Sequence, residues 1–99
     1  MFVVTIDQRS SRSSGDRVPD LLGLLGDVCA DNPPIAGFDR TVGDEVEGLF
    51  DDAGGVIVAI RAALAMGGWH IGLGVGLVES LGQSVREARG SAFVAAREA

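Results

Sequence analysis

Basic residues are scarce: only eight of the 99 residues are Lys or Arg, against fourteen Asp or Glu, for a formal charge of −6. Nucleic-acid affinity comes largely from neutralising phosphates with basic side chains, so this balance argues against a nucleic-acid partner and against an acidic membrane surface. It is compatible with acidity that merely aids solubility or with a cation site. Cysteine is almost absent too. Cys29 alone cannot close an internal disulfide, its place on an apolar helical stripe marks a small buried hydrophobe, and a reducing compartment fits. Long hydrophobic runs are missing: Met1 to Ile6 is apolar but lacks a basic start and stops at Asp7, so it reads as neither a signal peptide nor a spanning segment. The expected location is the cytoplasm.

What remains is 46% hydrophobic residues in a length that supports one core, so residues 1–99 read as a single domain. A chain of this size buries roughly 60–70% of its unfolded surface, which makes association with a partner a reasonable expectation.

Phe2, Val4 and Ile6 alternate with Val3, Thr5 and Asp7, the period of a strand that delivers Asp7 to its C-terminal end. Gln8 to Gly15 holds four serines and two arginines without apolar periodicity and reads as a loop able to close over something. From Asp16, the expected N-cap, the stripe Val18, Leu21, Leu22, Leu25, Val28 and Cys29 marks a helix, with Pro19 tolerated in its first turn. Asn32-Pro33-Pro34 ends it. Ile35 to Val42 and Val46 to Phe50 then read as a hairpin joined by Gly43-Asp44-Glu45.

Asp51 and Asp52 precede Ala53 to Met66, as suits a helix N-terminus. Apart from Arg61 this helix is nonpolar on every face, yet it is too short to cross a bilayer. Ile57 and Val58 lie off its Val56-Ile60-Ala63 stripe, which points to a homodimer interface through helix 53–66, unless the outer face is simply exposed alanine. Trp69 to Val78 alternates as a strand with His70, Gly72, Gly74 and Gly76 on one side, where either backbone or ligand is expected to approach closely. Ala92 to Ala99 has the composition of a final helix. The order βαββαβα begins as a ferredoxin-like split βαβ does, giving an α+β fold with an antiparallel sheet and helices on one face.

Two carboxylates at the ends of adjacent strands make a site for a hard cation, and in such a sheet Asp7 comes beside the hairpin that carries Asp44 and Glu45. These three are the candidate ligands for Mg²⁺ or Mn²⁺. The alternative is that Gly43-Asp44 is ordinary hairpin chemistry. His70 reads as structural, because no second His and no Cys pair at metal spacing accompanies it, and nothing recommends a Cys29–His70 nucleophile pair.

Three segments in order, Thr41-Val42-Gly43-Asp44-Glu45-Val46-Glu47-Gly48-Leu49-Phe50, His70-Ile71-Gly72-Leu73-Gly74-Val75-Gly76 and Gly90-Ser91-Ala92-Phe93-Val94-Ala95-Ala96-Arg97-Glu98, together with the strand ending at Asp7, resemble the SatD family of bacterial proteins. More distantly, the layout is similar to the class III nucleotide cyclase and GGDEF palm. That resemblance implies metal aspartates at Asp7 and Asp44, a phosphate-contacting arginine at Arg97, and a cofactor contact at Gly43 in the turn. The cyclase asparagine four residues before that arginine is Phe93, and the first glycine and the phenylalanine of GGDEF are Val42 and Val46. The sequence also ends where the cyclase palm continues with base-recognising strands. These departures lead us to expect a non-catalytic or regulatory domain with a possible nucleotide ligand. A metal-dependent nucleotidyl or phosphoryl transferase and a structural homodimeric module are the alternatives.

Overall fold

A computed structural model describes residues 1–9, 15–76, 78–80, 89–90 and 96. The alternating N-terminal segment forms β1 (Phe2–Gln8), one residue longer than its sequence pattern suggests. It lies at the centre of a four-stranded antiparallel sheet between β3 (Glu45–Phe50) and β4 (Trp69–Val75), with β2 (Ala36–Arg40) on the far side of β3. β1 and β2 both run antiparallel to β3, and β3 and β4 both run antiparallel to β1, so two β-α-β units interleave in one sheet.

α1 (Val18–Val28) carries Pro19 in its first turn and buries Val18, Leu21 and Leu25. The cap position is Arg17 rather than Asp16. Asp16 still serves the helix start, because its Oδ1 accepts a hydrogen bond from the Val18 N–H at 3.1 Å. α2 (Ala53–Met66) has the expected bounds, with Asp52 as its N-cap accepting from the Gly54 N–H at 3.0 Å. Among the described residues, no helix is long and apolar enough to cross a membrane.

Directly opposed residues in an antiparallel sheet share a face, so the register sorts the side chains. Phe2, Val4 and Ile6 share their face with Phe50 and Val46, and the core joins them to Val18, Leu21, Leu25 and Cys29 of the α1 segment and Val56, Ala59 and Ala63 of α2. Both helices therefore pack on that face. The opposite face carries Val3, Thr5 and Asp7 of β1 beside Leu49, Glu47 and Glu45 of β3. Val3, Leu49, Thr5 and Glu47 are buried as well, so the central strands are covered on both sides, while His70, Leu73 and Val75 of β4 stay exposed.

Two strand ends and one ladder differ from the expectation. β2 stops at Arg40, because Thr41 begins the turn, its N–H bonded to the Glu45 carbonyl at 2.9 Å, and Val42 stands exposed. β4 stops at Val75; Gly76 donates to the Met1 carbonyl, and Val78 belongs to a separate ladder of β5 (Val78–Ser80) with β6 (Arg89–Gly90). That ladder is absent from the expected order βαββαβα. Of the expected helix at 92–99 only Ala96 falls within the described residues; it is helical and buried. Together these elements make an α+β fold, a four-stranded antiparallel sheet with two helices on one face.

Candidate functional site

The pairing of three strands sets the site. Asp7 is opposed to Glu45 on one side and to His70 on the other, which lines up His70, Asp7 and Glu45 across β4, β1 and β3. The next row on the same face is Gly72, Thr5 and Glu47. Opposed residues of neighbouring strands have their Cβ atoms about 4.5–5.5 Å apart, so each row brings its side chains into mutual reach. A cavity of about 440 Å³ opens there, lined by Thr5, Asp7, Glu45, His70, Ile71, Gly72 and Ala96.

Gly72 forms part of the cavity floor. A Cβ added to it would lie 2.5 Å from the Ala96 carbonyl oxygen and 2.6 Å from the Thr5 hydroxyl. The close approach expected along this glycine face is therefore made by backbone at Gly72.

Electrostatics distinguish Asp7 within the row. Partial burial raises its carboxyl above the ordinary range, the negative charges of Glu45 and Asp44 raise it further, and His70 opposes them. A group so placed favours any neighbouring positive charge. Glu45 is held in position by the Thr41 hydroxyl, which donates to its Oε1 at 2.7 Å.

The turn itself is fixed by two backbone hydrogen bonds and one arginine. Glu45 N–H donates to the Val42 carbonyl at 2.9 Å, and Gly43 takes a positive φ of 55°, a conformation that glycine adopts without steric cost. Arg40 donates through Nη1 to the Gly43 carbonyl at 3.1 Å and through Nη2 to Asp16 Oδ2 at 2.7 Å. The second contact holds the Asp16 carboxyl below its usual range.

Of the residues expected to bind, Asp7 and Glu45 share the central cavity. Asp44 and Gly43 instead line a second hollow of about 390 Å³ with Asp16 and Arg40, although the Asp44 charge still reaches Asp7. Arg97 and Phe93 lie outside the described residues. As the side chains lie, no group of three or more His, Cys, Asp or Glu among the described residues is gathered for a metal ion. Thr5 and His70 also face the cavity and were not expected there. His70 had a visible signal in its place on the glycine face of its strand, but the register that sets it opposite Asp7 joins segments more than sixty residues apart.

Compared with known protein families, curated proteins and solved structures, the chain shows no match.

Proposed function

We propose that the chain is a non-catalytic or regulatory domain, SatD-like with a ferredoxin-like, nucleotidyl-cyclase-like palm, whose Asp7–Glu45 pair binds a divalent cation. Mg²⁺ and Mn²⁺ are the candidates, with the Asp44 charge reaching Asp7 from the neighbouring hollow and a nucleotide phosphate as the ligand that the cation would bridge. The interleaved β-α-β units support the palm. The observation that carries the cation site is the pairing of Asp7 with Glu45 in adjacent strands, where Asp7 already bears the repulsion of two carboxylates. A cation relieves that repulsion, and hard divalent ions take oxygen donors of this kind.

α2 supports a homodimer: Ile57 and Leu64 stand 55% and 65% exposed on its outer side, around Arg61, while Val58 packs against the core. Larger apolar exposure of this sort commonly marks an interaction surface.

Thermal melting with Mg²⁺ or Mn²⁺, each alone and with nucleoside triphosphates, tests the site. A ligand present at about 100 times its Kd stabilises the native state by about 2.7 kcal/mol, which such a small domain shows as a clear rise in Tm. The expected result is a rise with metal that is lost in Asp7→Asn. No shift in any combination overturns the cation site, and product formed from the triphosphate would favour the transferase instead.

A further inference from the structure

We infer that β4 is a dimerisation edge, pairing antiparallel with β4 of a second copy of this chain so that the two sheets become one. The inference rests on the homodimer reading and adds to it a strand-to-strand contact that an interface through α2 does not require.

The backbone of β4 is paired on one side. In the order β2-β3-β1-β4 it is a terminal strand, and among the described residues no strand pairs with its outer edge. The Gly76 N–H donates to the Met1 carbonyl at 3.1 Å, and the Gly68 carbonyl accepts from the Arg9 N–H at 2.8 Å. Backbone groups alternate in direction along an antiparallel strand. The even-numbered residues of β4 therefore bond to β1, and the N–H and C=O groups of Ile71, Leu73 and Val75 point outward. β5 and β6 pair with each other instead, and Ala96 approaches β4 over its glycine face at Gly72.

The two edges of the sheet are built differently. β2 follows Pro33-Pro34, shifts register between Gly37 and Asp39, and ends on Asp39 and Arg40, all features that discourage pairing by another chain. β4 has none of them. From Trp69 to Val75 its register with β1 is unbroken, and it holds no Pro, Lys, Arg, Asp or Glu. Leu73 and Val75 share the helix-bearing face with Val4 and Phe2, yet they stand 41% and 61% exposed.

The occupant that fits this edge is a second copy. Chains of net charge −6 repel one another except where the contact is neutral, and β4 supplies a neutral strip. Pairing about a two-fold axis at Leu73 sets that residue against Leu73 of the second copy and Ile71 against Val75 of the second copy, each pair exchanging two hydrogen bonds. Apolar side chains then oppose apolar ones on the helix-bearing face. On the other face Gly72 meets Gly74 of the second copy, so neither bulk nor like charge intervenes. α2 lies on the helix-bearing face in contact with β4, and its exposed Ile57 and Leu64 add apolar surface on that side.

Amide hydrogen exchange by NMR, with sedimentation of the full chain at low and high micromolar concentration, tests the edge. We expect a dimer in which the amides of Ile71, Leu73 and Val75 exchange on the order of tenfold or more slowly at the higher concentration, while those of Gly72 and Gly74 are protected at both. Leu73→Pro removes an outward N–H, so it should keep the ladder with β1 and weaken the dimer at least about tenfold. Leu73→Lys leaves the backbone intact and sets two ammonium groups opposite each other at the axis, so it should weaken the dimer as well. A dimer whose outward amides exchange equally fast at both concentrations, or one that survives both substitutions, overturns the β4 edge and leaves the α2 interface standing. Outward amides that are slow at every concentration show an edge covered within one chain and overturn it too. A chain that stays monomeric at high micromolar concentration overturns both readings.

Discussion

Asp7 concentrates the chemistry at the residue scale, and its position has a thermodynamic sign. Burial with Glu45 and Asp44 lifts its carboxyl above the ordinary aspartate value of 3.8. Between that value and the raised one, the native chain holds a proton that the unfolded chain has released, so stability falls as pH rises through the window. Above the window the charged carboxylate is a standing cost. Asp7→Asn should therefore melt higher than the parent at pH 7, by about 1 kcal/mol or less because solvent screens a half-buried group. The gain should vanish as pH drops below 3.8, where both states of the parent are protonated. A melting series across pH in metal-free buffer checks both parts, and a lower Tm for the variant at pH 7 would contradict the assignment. Asp7 and Glu45 were legible as candidates because a carboxylate ends one strand and another lies in a turn. Thr5 and His70 were not, since their place depends on register between distant strands, which no local pattern encodes.

The elements were easier to read than their ends. α2 was legible to its bounds because two aspartates precede an apolar run and Gly67 follows it, closing the helix with an N–H bond to the Ala63 carbonyl. The β5–β6 ladder was not legible, since its segments are two and three residues long and show no periodicity to detect. Two glycines, one in α2 and one in the turn between β2 and β3, should respond differently to alanine. A Cβ on Gly55 would lie 2.6 Å from the Phe50 ring and 2.8 Å from the Asn32 carbonyl oxygen, where α2 packs against the end of β3. Gly55→Ala should destabilise by about 1–3 kcal/mol through overpacking. Gly43 meets nothing within 4 Å and has only its positive φ to lose, so Gly43→Ala should cost about 1 kcal/mol. Urea unfolding of the two variants checks the order; equal stability would show that α2 does not depend on the close approach at Gly55.

For the whole molecule, α2 carries two large exposed aliphatic side chains on its outer side, Ile57 and Leu64, and β4 exposes Leu73 and Val75 as well. Sedimentation at high micromolar concentration should give a dimer, and replacing Leu64 with Asp should shift it to monomer without lowering the helical signal. A monomeric parent chain would contradict the interface. The antiparallel sheet was legible from alternation in two segments and from the hairpin between them, and the two-helix face from the apolar stripes of the helices. The cover on the second face was not, because Ala96 reaches Gly72 only through the fold.

The central claim is a cation held by Asp7 and Glu45, and calorimetric titration of Mn²⁺ into the metal-free full chain and its Asp7→Asn variant tests it most directly. The account predicts saturable binding of one ion per chain to the parent and none to the variant. Absence of binding to the parent, or the same affinity in both, would contradict it.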